Sequence, residues 1–181
     1  IYGPIGDWDV SSVTNFNNLF YEKITFNTDI SKWNLAAAET LVNLFYEASN
    51  FNGDVSTWQT AKVTSMKSMF CRALLFNGDV SSWQTHKVIN MKNMFYQASV
   101  FNRDLSLWQV DEVTNMYAMF YQASVFNGDL SKWDTSRVAN MQYTFFNSAF
   151  TRTLCGGAWE SLAGINSAFN NLGSSTARYG S

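Results

Sequence analysis

Five of the nine aspartates stand 25 positions apart, at Asp29, Asp54, Asp79, Asp104 and Asp129, each followed by an aliphatic residue and then a serine. A file of carboxylates at a fixed step has two chemical uses. It can bridge a line of Ca2+ ions, but Ca2+ takes about six to eight oxygens and each unit supplies one carboxylate. Alternatively, each carboxylate accepts a backbone N–H of its own turn, with the nearby serine hydroxyl as a further donor. The donor count favours the structural use, so neither metal nor cofactor is expected. The asparagines two residues earlier (27, 52, 77, 102 and 127) read as a second ladder, satisfying carbonyls of the turn.

Other chemistry is thinly supplied. His86 is the only histidine, which removes Ser–His, Cys–His and multi-histidine metal arrangements. Cys71 and Cys155 lie more than three units apart, beyond the roughly 7 Å Cα separation that a disulfide spans, so both are expected as free thiols, and burial of both would reconcile them with an extracellular setting. The Gly156–Gly157 pair is isolated and makes no phosphate loop. No Asn-x-Ser/Thr acceptor occurs among the many asparagines. Catalysis needs unlike polar groups converging on one pocket, whereas a regular repeat shows the same residue again and again. No enzymatic activity is expected.

The element that positions these residues is a 25-residue repeat, the feature to seek before any local structure. Trp8, Trp33, Trp58, Trp83, Trp108 and Trp133 keep the step, as do Phe20, Phe45, Phe70, Phe95, Phe120 and Phe145. Phe26, Phe51, Phe76, Phe101 and Phe126 form a third series, each followed by Asn. One unit reads F-N-x-D-[IVL]-S-x-W, about five polar residues, then V-x-x-M-x-x-M-F-Y-x-A. The pattern fades at both ends: Pro4 replaces the aspartate of the first unit, and Thr151 and Arg152 fall on the Phe-Asn positions. We therefore divide the chain into a repeat array over 1–150, a degenerate closing unit over 151–172, and a loose end over 173–181.

Val63, Met66, Met69, Phe70 and Ala73 fall at i, i+3, i+6, i+7 and i+10, which predicts a short amphipathic helix in each unit. The D-V-S-S-W segment before it reads as a short strand. The F-N-G-D turn carries Gly53, Gly78 and Gly128 but also Thr28 and Arg103, so it does not demand a positive φ. The expected fold class is an α/β solenoid: a right-handed, leucine-rich-repeat-like stack of strand and short-helix units. Its parallel sheet should lie on one side and its helices on a convex opposite side. Trp33, Trp58, Trp83, Trp108 and Trp133 and the Met and Phe rows are expected in the core.

The run F-N-x-D-[IVL]-S-x-W-x-x-x-x-V-x-x-M-x-x-M-F, over about residues 8–150, resembles the BspA-like leucine-rich-repeat surface proteins, first noted as mycoplasma-lipoprotein-type repeats. The resemblance implies extracellular or cell-surface exposure and adhesion or other protein binding, without catalytic residues to carry over.

Composition agrees with a packed repeat. In 181 residues, 17% are aromatic and 14% charged, with net charge −2, so disorder is not expected. A pI near 5.3 with no basic run argues against nucleic acid. No apolar stretch reaches the roughly 18 residues of a membrane span. The opening residues show no signal-peptide pattern, so a targeting segment is expected to be absent here.

Two surface rows are candidate partner-binding positions. Lys32, Thr57, Ser82, Leu107 and Lys132 alternate with the tryptophans and should face solvent. Tyr46, Tyr96 and Tyr121, in the row Tyr21, Tyr46, Cys71, Tyr96, Tyr121 and Phe146, flank the buried stripe, with a notch at Cys71. The rings either bind a partner or pack between units with wet hydroxyls. The expected function is a non-enzymatic protein-interaction module with a protein or glycan partner. The alternative is an accessory structural subunit docked on a larger, membrane-embedded or organellar assembly.

Overall fold

The computed structural model describes residues 3–152 and 154. Counting each coil from its Phe-Asn pair, the chain lays down coils over 3–25, 26–50, 51–75, 76–100, 101–125 and 126–150. Single parallel bridges link Asn15 to Thr40, Thr40 to Ser65, Ser65 to Asn90, Asn90 to Asn115, and Asn115 to Asn140. Neighbours in space are thus 25 residues apart in sequence.

The expected α/β solenoid does not form. Among the described residues the only helix is a single 3-10 turn, Ile5–Asp7, and the only β pairing is that chain of isolated bridges. There is no parallel sheet. D-V-S-S-W is a turn rather than a strand: in the third coil Trp58 N–H donates to the Val55 carbonyl at 3.2 Å.

The segment read as a helix is instead a ribbon of successive β-turns. In the third coil Met69, Cys71 and Ala73 donate their N–H groups to the carbonyls three residues back, at Met66, Ser68 and Phe70. The intervening N–H groups of Met66, Ser68, Phe70 and Arg72 point out of the coil, to the Asn90, Lys92, Met94 and Tyr96 carbonyls of the next one. Every second peptide therefore lies along the stack and links coils, and those between close turns within a coil. Such a backbone needs left-handed residues at fixed places. It has them, at Ser68 (φ 54°) and Arg72 (φ 59°) and at the matching positions of the other coils, from Asn18 and Glu22 to Tyr143 and Asn147. Val63, Met66, Met69, Phe70 and Ala73 are all buried, so the inward spacing that reads as helical is carried by a backbone of turns.

Packing explains why turns win over helices. Stacked helices need about 8–10 Å between axes, against about 4.8 Å between laddered backbones. The aromatic columns require the shorter step. Phe45, Phe70, Phe95 and Phe120 stack in sequence with ring centres 5.5–5.7 Å apart. Trp58, Trp83, Trp108 and Trp133 stack at 6.2–6.4 Å. Where one coil passes into the next, Phe70 also lies on Phe76 at 3.7 Å, and Phe95 on Phe101 at 3.9 Å. These rings, with the Val, Leu and Met residues between them, make one continuous core.

The column spacings also show how the coils are related. Pure translation would give every column the same step. The steps instead run from 4.6–4.8 Å in the tyrosine row to 6.2–6.4 Å in the tryptophan row. Successive coils are therefore rotated about an axis near the tyrosines. The turn-ribbon side, expected as the convex one, is the tighter side. Its coils are joined by backbone hydrogen bonds, which hold the ladder distance. Around D-V-S-S-W the coils are joined through side chains.

Those side-chain links are regular. Each buried tryptophan donates its Nε1–H to a carbonyl of the preceding coil, Trp83 to Val55 and Trp108 to Val80 at 3.0 and 2.9 Å. Asn27, Asn52, Asn77 and Asn102 accept the backbone N–H of the next asparagine in the row at 2.8–3.1 Å. This row is a ladder, but it serves N–H groups at the surface rather than buried carbonyls. Gly53, Gly78 and Gly128 adopt no positive φ, consistent with Thr28 and Arg103 in the same slot. Apart from Thr151, Arg152 and Leu154, the closing unit and tail, with Cys155, lie outside the described residues.

Candidate binding face

The carboxylate row lies on the side-chain-linked side. Asp29, Asp54, Asp79, Asp104 and Asp129 each accept the backbone N–H of the serine two residues on, at 2.9–3.0 Å. Ser56 adds its hydroxyl to Asp54 at 2.7 Å. The serine N–H holds the Asp29, Asp79 and Asp129 carboxyls below their usual range, with nearby Lys32, Arg103, Lys132 and Arg152 contributing. Interleaved cations offset the repulsion along the file. Among the described residues no three His, Cys, Asp or Glu come close enough to share a metal ion. His86 is exposed.

Lys32, Thr57, Ser82, Leu107 and Lys132 are all exposed, but several are occupied. Lys32 pairs with Asp7 at 3.2 Å. Thr57 and Ser82 donate their hydroxyls to the Ser31 and Ser56 carbonyls of the preceding coil. Leu107 stands free of the row, 71% exposed.

The tyrosine row forms a different surface. Tyr21 stacks on Tyr46 at 4.7 Å, Tyr96 on Tyr121 at 4.6 Å, and Tyr121 on Phe146 at 4.8 Å, the planes within 7°. The rings pack on one another face to face while remaining part-exposed, so the two readings of the row are not exclusive. Partial burial raises the Tyr46 and Tyr96 phenols. Cys71 breaks the column, and a cleft of about 410 Å3 opens there, lined by Tyr46, Cys71, Arg72, Asn93, Tyr96 and Tyr117 among others. The thiol is free and buried, and desolvation pushes it up to about 12, so it is an inert floor rather than a nucleophile.

Three interactions beside the row were not singled out from the sequence. Glu47 and Arg72 form an ion pair at 2.6 Å, continued by the Gln97–Gln122 amide pair at 2.5 Å. Lys92 lies 5.0 Å over the Tyr117 ring. Beyond them Leu74, Leu75, Val100 and Val125 are exposed together with Ile24, an aliphatic ridge beside a second cleft lined by Glu47, Arg72, Leu74, Gln97 and Gln122. The available signal was columnar: positions 24, 74, 75, 100 and 125 are aliphatic where the same two columns carry Thr25, Ser49, Asn50, Ser99 and Ser124 in other coils.

Fold and face together define a class: a stack of short aromatic-cored coils that displays rows of side chains. The chain belongs to the family described as "Mycoplasma protein of unknown function, DUF285", whose profile matches residues 1–98 and again 54–159. No curated protein and no solved structure matches it. No helix among the described residues is long and apolar enough to cross a membrane.

Proposed function

We propose that this chain is a non-catalytic binding module whose partner is a protein. The observation that carries the reading is one continuous outward face on the tight side of the stack. There Tyr46, the stacked Tyr96 and Tyr121 rings, the Glu47–Arg72 pair and the exposed Leu74, Leu75, Val100 and Val125 lie on the same side of the coils. Rigid aromatic anchors beside aliphatic surface with a polar edge are the composition of protein-binding patches. Exposed aliphatics of this density are otherwise a liability. The likeness of the repeat to BspA-like surface repeats favours binding outside the cell.

The ridge also favours a second reading, an accessory subunit permanently docked on a larger assembly, because such interfaces are the more apolar ones. Size-exclusion behaviour separates the two: a free module runs as a soluble monomer, whereas a docked subunit aggregates or co-purifies with its assembly. The test of the face itself compares the wild-type chain with a Tyr96→Ala/Tyr121→Ala variant as baits on native surface fractions, after near-UV circular dichroism confirms the tryptophan stack in both. A partner retained by the wild type and lost by the variant supports the reading. Retention by both refutes it.

A further inference from the structure

We propose that the Cys71 gap is a ligand slot for one planar aromatic ring carrying a hydrogen-bond donor, a small phenol or indole. It shares a face with the binding reading above but needs no protein partner, so the two can fail separately.

The row supplies the geometry. Where it is unbroken, rings lie 4.6–4.8 Å apart and within 7° of parallel. Tyr46 and Tyr96 are two such steps apart, and between them only the short Cys71 side chain occupies the column. The row is therefore short of one ring here, and Tyr46 and Tyr96 both line the space it leaves. The cleft of about 410 Å3 at this point matches the lower part of the usual range for small-ligand pockets, about 300–1,000 Å3. Its floor is the buried, neutral Cys71 thiol.

A second observation in the same cleft points to a donor on the ring. Asn93 Oδ1 is buried and is the one side-chain acceptor among the described residues with no hydrogen-bond partner. The adjoining column explains it. In the first coils Asn43 Nδ2 donates to Asn18 Oδ1 at 2.9 Å, the later asparagine serving the earlier one. For Asn93 the residue one coil on is Ala118, which has no donor. Asn93 also lines the cleft; its Oδ1 is closed off in this rotamer, and a turn of the amide about its broad χ2 well brings that oxygen to an O–H or N–H on the inserted ring. Buried acceptors left bare are otherwise rare.

The test titrates the full chain with p-cresol, toluene and cyclohexanol, followed by saturation-transfer NMR and the near-UV tyrosine signal. Binding of p-cresol ahead of toluene, with cyclohexanol weakest, is expected, because only p-cresol offers both a stacking face and a donor. Cys71→Tyr fills the slot with the row's own ring and should weaken p-cresol at least about tenfold, while raising the melting temperature as the column closes. Cys71→Ala leaves the slot open and should bind within about threefold of wild type. Tyr96→Ala removes one wall and should also lose the ligand, which keeps the test decisive where Cys71→Tyr misfolds. Unchanged binding in either of the two disruptive variants, equal binding of cyclohexanol and p-cresol, or no p-cresol binding to wild type at low millimolar concentration overturns the proposal.

Discussion

Replacing Gln122 by alanine and by glycine distinguishes a turn ribbon from a helix by the sign of the result. Gln122 has φ 52°. Both replacements remove the same side chain and the same hydrogen bond to Gln97, so the difference between them isolates the backbone. In a helix interior glycine is worse than alanine by about 1 kcal/mol. At a left-handed residue alanine carries a steric cost of about 1–2 kcal/mol that glycine lacks, while glycine loses about 0.5–1 kcal/mol more chain entropy on folding. The net favours glycine by about 0.5–1 kcal/mol, worth roughly 1–4 °C in melting temperature for a chain of this size. Ser124 is the control: it is exposed, has no positive φ, and its hydroxyl bond to Ser99 is lost equally in both replacements. Thermal and urea unfolding of the four variants should show glycine above alanine at 122 and below it at 124. Glycine below alanine at both positions would refute the turn ribbon.

Two further outcomes follow from the stack. Phe95→Ala removes a ring stacked on Phe101, on Phe70 and Phe120 of its column, and tilted against Trp108, at about 3–5 kcal/mol; Phe20→Ala, whose partners Phe26, Trp33 and Phe45 all lie on the side of the next coil, should cost less, and equal losses in urea unfolding would contradict nearest-neighbour stacking. On the acid side, the carboxyls of Asp29, Asp79 and Asp129 are held below their ordinary value by serine N–H groups, so their contribution is complete above the unfolded value of about 3.9 and is lost as pH falls through the lower folded values. Melting temperature should hold from neutral pH to about 4.5 and fall below it, the fall being shallower in Asp79→Asn; an unchanged slope in that variant would show that the carboxylate row does not carry the effect.

The repeat length and the inward rows were legible because burial needs only periodicity. Trp83, Phe95 and Met94 are buried as their spacing requires. The backbone that delivers them was not legible. Buried positions three or four residues apart occur in a helix and equally in this ribbon of turns, so Val63, Met66 and Ala73 cannot tell one from the other. The available discriminator was distance rather than period. Columns of identical rings demand a coil step near 5–6 Å, and helices cannot approach that closely. A weaker local signal lay in Asn18, Asn43, Asn93 and Asn147, placed where a helix interior would be and where a left-handed residue is now found. Asparagine is the side chain that tolerates that conformation best after glycine. Glu22, Arg72 and Gln122 at matching positions carry no such signal, since the inter-coil ladder imposes the conformation on them.

The sequence showed the notch at Cys71 but not the acceptor beside it, for a related reason. Column by column, Cys71 is one irregularity among tyrosines and Ala118 one among polar residues, 47 positions apart in the chain. Stacking brings both to the same place. Cys71 opens the space between Tyr46 and Tyr96, and Ala118, one coil beyond Asn93, removes the donor that would have satisfied the amide lining that space. Either change alone leaves a shallow notch or a bare acceptor, each costing stability without a compensating use. Together they give a cavity a shape and a polarity. In an array whose coils otherwise copy one another, specificity can arise only from departures that coincide after folding, and here two of them meet at one cleft.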